Sequence, residues 1–266
     1  MRITLSISIV VYNENFSDIK DCLTSLILSI PKEFEYVITI VDNGACELNK
    51  VSTIKEACLR YFSDLPIQYI LSSKNGGYGY GHNLAIFSSV ADYHLIINSD
   101  VYTMTETLRN AVAFMQANPN VSMLVPDVYD VTNKRVYLCK ENPRLWISFL
   151  RRFAPNLLRN IFKNQLERFE MRNKDYDSPI FNLTNPTGCF MFCRLAILKA
   201  IKGFDEKIFM YYEDSDLGRR LAKVSQIAYV PSVKIKHAWK RAAYHNKRMA
   251  WIAIKSAVYY AWKWRW

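Results

Sequence analysis

The sequence predicts an α/β protein with a mostly parallel central sheet flanked by helices, followed by a basic, aromatic-rich C-terminal helical tail. Two observations carry this. Apolar runs of five to eight residues alternate with amphipathic stretches through the first half, and parallel strands buried on both faces read as such unbroken apolar runs. Polar residues gather directly after these runs, at Tyr12-Asn13-Glu14, Asp42-Asn43-Gly44 and Asn98-Ser99-Asp100. Sheets of this kind place their ligands beyond the carboxyl ends of the strands.

In chain order, "LSISIVVY" is a strand, and Ser17 to Ile30 is an amphipathic helix. "YVITIVD" is the next strand, with a helix from Glu47 to Tyr61. "IQYIL" leads into the glycine-rich "KNGGYGYGHN", with a helix from about His82. "YHLIIN" ends at Asp100, and a helix covers Thr105 to Asn118. Past Asp127 the rhythm changes. A basic, partly helical region runs from Arg144 to Lys174, strands resume at "IFNLT", "GCFMFC", "QIAYV" and "VKIKH", and a final helix spans Ala242 to Lys263.

Composition narrows the class. A chain of 266 residues with 50% hydrophobic and 14% aromatic content buries a sizeable core. "MRITLSISIVVYN" has neither the apolar region nor the cleavage site of a signal peptide. The six cysteines show no paired spacing, so a reduced, cytosolic chain is expected, with Cys189 and Cys193 as small buried hydrophobes rather than metal ligands. The net charge of +11 is uneven: residues 1–133 hold 8 basic and 14 acidic side chains, while 12 basic and no acidic residues follow Asp216. Such asymmetry suggests a polyanionic partner: nucleic acid, anionic lipid or phosphate groups. In the last helix Arg241, Arg248 and Lys255 form one stripe, beside Trp251, Ile252, Val258, Tyr259 and Trp262. This helix either lies at an anionic membrane surface or docks on the domain with its basic stripe exposed.

Four motifs offer chemistry, each with a plainer structural explanation. The glycines of "KNGGYGYGHN" allow close approach to phosphate or simply a turn. Asp100, at the end of a buried strand, is either a carboxylate ligand for a hard cation or a solvated loop residue. His237 ends "SVKIKH" as a metal ligand or a structural histidine. In "FMYYEDSDLGRRL", Glu213, Asp214 and Asp216 fit the first turn of a helix, where the dipole favours carboxylates. The apolar lead-in also suits a general base, since a partly dry setting raises a carboxyl pKa.

These segments resemble, in order from Ser6 to Trp239, the inverting family 2 glycosyltransferases of GT-A fold: "SIVVYNEN", "IVDNGA", "NGGYGYGHN", "LIINSDV", "NPTGCFMFCR", "GFDEKIFMYYEDSDLGRRL" and "YVPSVKIKHAW". Within that family they are most similar to bacterial rhamnosyltransferases of O-antigen, lipopolysaccharide and related surface-polysaccharide assembly. The resemblance implies a GT-A domain over residues 1–240, with a nucleotide-sugar half to about 127 and an acceptor half from about 128, and a separate helix over 241–266. It implies that Tyr12, Asn13 and Glu14 border the base and ribose, that Asp42 meets the pyrimidine, and that Asn75, Gly76, Gly77 and Asn83 lie beside the nucleotide.

By the same resemblance Asp100 matches the last residue of the family's D-x-D metal motif and His237 a further ligand, for Mg2+ or Mn2+. Asn98 replaces the first aspartate of that motif, which implies weak metal binding. Asp214 matches the catalytic base, supported by Glu213 and Asp216. The implied donor is dTDP-β-L-rhamnose, with UDP-hexose or UDP-N-acetylhexosamine as alternatives. The implied acceptor is a polyprenyl-diphosphate-linked saccharide, met by a peripheral protein on the inner face of the bacterial cytoplasmic membrane. The rival class is a non-enzymatic nucleic-acid-binding protein, but it leaves the acidic first half and the acidic cluster unexplained, so no nucleic-acid partner is expected.

Overall fold

In a computed structural model, residues 2–44, 53–142, 147, 158, 161–239 and 247–265 are described. Four strands pair in parallel in the first half: β1 (Thr4–Val11), β2 (Glu35–Asp42), β3 (Ile67–Leu71) and β4 (Tyr93–Ile97). Between them lie α1 (Phe16–Ser29), α2 (Thr53–Tyr61) and α3 (Tyr78–Ser88). Helix α1 turns Ile19, Cys22, Leu23 and Leu26 to the sheet, the spacing of one helical face.

After β4 come β5 (Val101–Thr103), α4 (Thr107–Ala117), β6 (Val121–Tyr129), β7 (Arg135–Val136) and α5 (Lys163–Phe169). Then follow β8 (Phe190–Arg194), α6 (Leu195–Ala200), α7 (Glu213–Leu221), β9 (Gln226–His237) and α8 (Lys247–Trp264). The sheet order is β3-β2-β1-β4-β8-β6-β9-β5, with β7 paired to β6. Strand β8 lies antiparallel between β4 and β6, while β6 and β9 are parallel and β5 and β9 antiparallel. The sheet is therefore parallel in its first half and mixed beyond it. One apolar layer packs Ile7, Ile9, Leu23, Ile38 and Leu95; the other holds Ile96, Met123, Met191, Leu217 and Tyr229.

Several boundaries differ from expectation for physical reasons. Helix α3 begins at Tyr78, so Gly79 and Gly81 are helical. Their lack of a side chain is used in packing, since a Cβ on Gly81 would lie 2.8 Å from Val10. The segment "IFNLT" is not a strand: Ile180 makes one bridge to Tyr229 before the chain turns at Asn182, where φ is 59°. "QIAYV" and "VKIKH" join into β9, whose register against β6 shifts at Pro126/Asp127. Strand β6 runs through Asp127, where a change of rhythm was expected. Most of "WISFLRRFAPNLLRNIF", the start of the helix placed at Glu47, and Ala242 to His245 with Arg241 lie outside the described residues.

Helix α8 is docked on the domain. Tyr260 is fully buried, and Ser256 Oγ donates to the Met210 carbonyl at 2.7 Å. Its outward face is both apolar and basic: Trp251, Ile254, Val258 and Trp262 are 51–73% exposed, three or four residues apart as on one helical stripe, and Arg248 and Lys255 are exposed as well. Among the described residues no helix is long and apolar enough to cross a membrane. The five described cysteines are free and buried.

Candidate active site

The loops after the strands converge on one edge of the sheet. Asn13 takes a left-handed φ of 54° after β1, a conformation asparagine tolerates better than most residues. This brings its Oδ1 so close to Gly44 that a Cβ there would lie 2.7 Å away. Tyr12 beside it is 39% exposed. Asp42 is buried at the end of β2, with its carboxylate accepting from Gly44 N at 2.8 Å and from Tyr69 OH at 3.1 Å. Asn43 Nδ2 donates to the Gly77 carbonyl at 2.9 Å, tying this turn to the glycine-rich loop.

Gly77 has φ 89° and ψ −175°, a region essentially reserved for glycine. It caps α3, and Asn75 Oδ1 accepts the Gly77 N–H at 3.3 Å. The first N–H groups of a helix are an anion site in waiting, but one of them, Tyr78 N–H, is already given to the Phe209 carbonyl at 3.0 Å. Asn83 is 2% exposed, with its amide bonded to the backbone of Phe204 and to Glu206. Its polar atoms thus clip the 204–206 loop to α3.

Pairing of β5 with β9 sets Val101 opposite His237, and the Ala238 N–H donates to the Asp100 carbonyl at 3.0 Å. The two expected metal ligands are therefore adjacent, with His237 Nε2 3.0 Å from Asp100 Oδ1. Two ligands bound about 2.1 Å from an octahedral cation at right angles stand about 3.0 Å apart. The same separation here is a direct hydrogen bond between the two side chains, so a cation would be held by this pair only after displacing the Nε2 proton. Burial opposes charge on His237, yet the hydrogen bond to Asp100 and the influence of nearby Cys189 outweigh it and hold its pKa up at about 10. No cluster of three or more metal-ligating side chains occurs among the described residues.

Helix α7 delivers the acidic cluster. Asp214 Oδ2 accepts the Gly188 N–H at 3.1 Å, and Oδ1 accepts the Ser215 N–H at 2.7 Å. Burial raises the Asp214 pKa against the lowering influence of Lys140 and these N–H groups. Glu213 is 8% exposed, and its pKa is raised by burial and then by the charge of Asp214. Asp216 points elsewhere: it is fully buried and paired with Arg220 at 2.8 Å and Lys263 at 2.7 Å.

Tyr78, hidden in the sequence between two glycines, ties these parts together. Its hydroxyl lies 2.9 Å from Asn98 Oδ1 and 2.7 Å from the Gly188 carbonyl. Its pKa is driven up by burial and by the charges of Glu213, Cys189, Asp214 and Asp100, so the residues expected as base and as metal ligand both act on one phenol. Sequence reasoning missed Tyr78, whose only signal was an aromatic residue inside the glycine run. It also missed Lys140, which lines a cavity of about 300 Å3 with Asn142, Asn182 and Thr184. Asn185 separates that cavity from Asp214, donating to the Glu141 carbonyl at 2.9 Å and accepting from Ser215 Oγ at 2.7 Å.

Comparison with known proteins identifies the fold and the family. The family described as Glycosyl transferase family 2 matches residues 6–200, a span that ends before α7 and β9. The chain is 32% identical over 91 residues to an N-acetylglucosaminyl-diphospho-decaprenol L-rhamnosyltransferase of Mycobacterium tuberculosis, an alignment covering 30% of each protein. Its fold is similar to that of S. aureus TarS, with a TM-score of 0.60 and 20% identity over 89% of this chain and 37% of TarS. It is also similar to the mannosyltransferase PcManGT from Pyrobaculum calidifontis, solved with GDP-Man and Mn2+, with a TM-score of 0.62 and 18% identity over 94% of this chain and 60% of that one. At these identities the structural likeness speaks to the fold.

Proposed function

The chain belongs to glycosyl transferase family 2 and has the GT-A fold, and from that premise we propose that it is an inverting glycosyltransferase with Asp214 as its base. The observation that carries this is the convergence of Asp214, Asn98 and Gly188 on Tyr78, with Asp100 adding its charge. The acceptor hydroxyl attacks the anomeric carbon while Asp214 takes its proton, and the nucleoside diphosphate leaves from the opposite face. Burial raises the Asp214 pKa, which strengthens the carboxylate as a base. Asp100 and His237 would hold the divalent cation, which when bound neutralises the diphosphate leaving group. Tyr12, Asn13, Glu14 and Asp42 border the nucleoside, and Asn75, Gly76 and Gly77 the phosphates. Asn83 supports that wall from behind.

The donor proposed is dTDP-β-L-rhamnose and the acceptor a saccharide on a polyprenyl diphosphate, as the name of the mycobacterial relative suggests. The exposed apolar stripe of α8, within a region holding 12 basic and no acidic residues after Asp216, would seat the protein on the anionic inner face of the cytoplasmic membrane. The test is release of nucleoside diphosphate from a panel of purified nucleotide sugars, with and without N-acetylglucosaminyl diphosphoprenol. The reading expects dTDP-rhamnose to give acceptor-dependent release. Release dependent on acceptor but confined to UDP sugars would overturn the donor assignment, and none with any donor would overturn the activity.

A further inference from the structure

Asp216 is the most enclosed of the three acidic residues, and its partners come largely from outside its own helix. Its Oδ1 accepts from Lys263 Nζ at 2.7 Å and from Trp264 Nε1 at 3.0 Å, both on α8. Its Oδ2 accepts from Arg220 Nε, one turn along α7, at 2.8 Å. Lys263 also reaches Asp205 at 2.6 Å, where Tyr259 OH donates at 3.0 Å. The Trp264 ring lies beneath Arg219, 4.2 Å from its centroid. Helix α8 therefore grips the segment that carries Glu213 and Asp214 on both sides.

That segment needs holding. Tyr211 and Tyr212 have φ of 67° and 68°, and two successive side-chain-bearing residues in the left-handed region persist only when their surroundings fix them. The surroundings here are again α8: Ser256 bonds the Met210 carbonyl, and Tyr260 packs 5.4 Å from the Tyr212 ring. Asp214 sits two residues past this bend and faces Gly188 at 3.1 Å, so a small rotation of α7 would carry its carboxylate out of the cleft.

We infer that Lys263 and Trp264 are positioning residues for the proton-accepting step: through Asp216 they set the seat of α7 and hence the direction in which Asp214 points. This rests on the reading of Asp214 as the base. It gives the acidic motif two jobs, with Asp214 meeting substrate and Asp216 fastening the helix. A helix that merely added stability would leave the turnover of each folded molecule untouched, whereas a positioning helix changes kcat with donor affinity preserved.

The experiment compares Lys263→Met, Trp264→Phe, Asp216→Asn and their combinations in the full chain, at a temperature where circular dichroism shows each folded. Expected are a kcat lowered about 10- to 100-fold in Lys263→Met/Trp264→Phe, donor Kd within about twofold, and partial recovery in Lys263→Arg. Because the path runs through Asp216, the Lys263 change should cost little more in an Asp216→Asn background. Hydrogen exchange over 213–221, which needs no activity, should quicken in the same variants. Unchanged exchange, unchanged kcat, or losses that simply multiply would each overturn the inference. Faster exchange in these variants alongside a fully active Asp214→Asn would instead overturn the reading of Asp214 as the base, and with it the inference.

Discussion

Gly77→Ala is the sharpest structural perturbation of the proposed site, because one backbone position joins its two halves. The φ of 89° with ψ of −175° falls where a residue with a Cβ is strained by about 1–3 kcal/mol. The new Cβ would also lie 2.0 Å from the Phe209 carbonyl oxygen, and backbone cannot give way there as a flexible side chain would. Relief requires the 209 strand of chain to withdraw, which breaks the Tyr78 N–H bond to that oxygen at a further cost of about 1 kcal/mol. The sum is about 2–4 kcal/mol, or a melting temperature lower by roughly 10 °C for a chain of this size. The withdrawal also separates the glycine loop from the segment leading to Asp214, so donor affinity and turnover should fall together. Thermal unfolding followed by circular dichroism, with donor binding by calorimetry, measures both. A variant that melts within about 2 °C of the parent and binds donor equally well would refute the argument.

Other consequences follow from the same geometry. Asp100→Ala should weaken Mn2+-dependent donor binding about tenfold or more, since one ligand of the proposed pair is lost; the same donor Kd with metal and with chelator in the parent protein would remove Asp100 and His237 from that role. Glu213 keeps its proton in the fold at pH values where the unfolded chain has lost it, so it costs stability increasingly as pH rises above the ordinary glutamate range. Glu213→Gln should therefore gain in melting temperature relative to the parent between about pH 5 and neutrality, and a difference flat with pH would count against this. Trp251→Ser with Trp262→Ser should loosen binding to vesicles containing phosphatidylglycerol about tenfold or more, without disturbing the buried face of α8; undiminished binding would dismiss the lipid contact. Deleting the whole helix is a poorer probe, because it would uncover Asp216.

Much of the first half was legible because local pattern and tertiary demand agree there. The runs at Leu5, Val37 and His94 are largely apolar and buried on both faces, and their helices carry one-sided stripes, so period and topology point the same way. The second half was less legible where pairing between distant segments decides the outcome. "IFNLT" has strand chemistry, yet it meets β9 only through a bridge at Ile180 and one bond from Leu183 to Ile227, and Asp127 looked like a boundary although β6 runs through it and its carboxylate is met by Arg135. In the site, Asp100 and His237 could be named singly, but their adjacency depends on β5 pairing with β9 across more than 130 residues of chain. The resemblance set Asp214 apart as base from Asp216 as support, but the form of that support was not readable. It depends on which carboxylate the residues of α8 reach, and no short-range pattern encodes that.

The central claim is that Asp214 accepts the proton in a single inverting displacement. The direct measurement is transfer by purified Asp214→Asn beside the parent protein, with the best donor from the nucleotide-sugar panel, the product's anomeric configuration read by NMR and donor binding measured in parallel. The account predicts an inverted linkage from the parent, transfer lowered about 100-fold or more in the variant, and a donor Kd close to that of the parent. Transfer within about threefold of the parent, or a product that retains the donor's anomeric configuration, would contradict it.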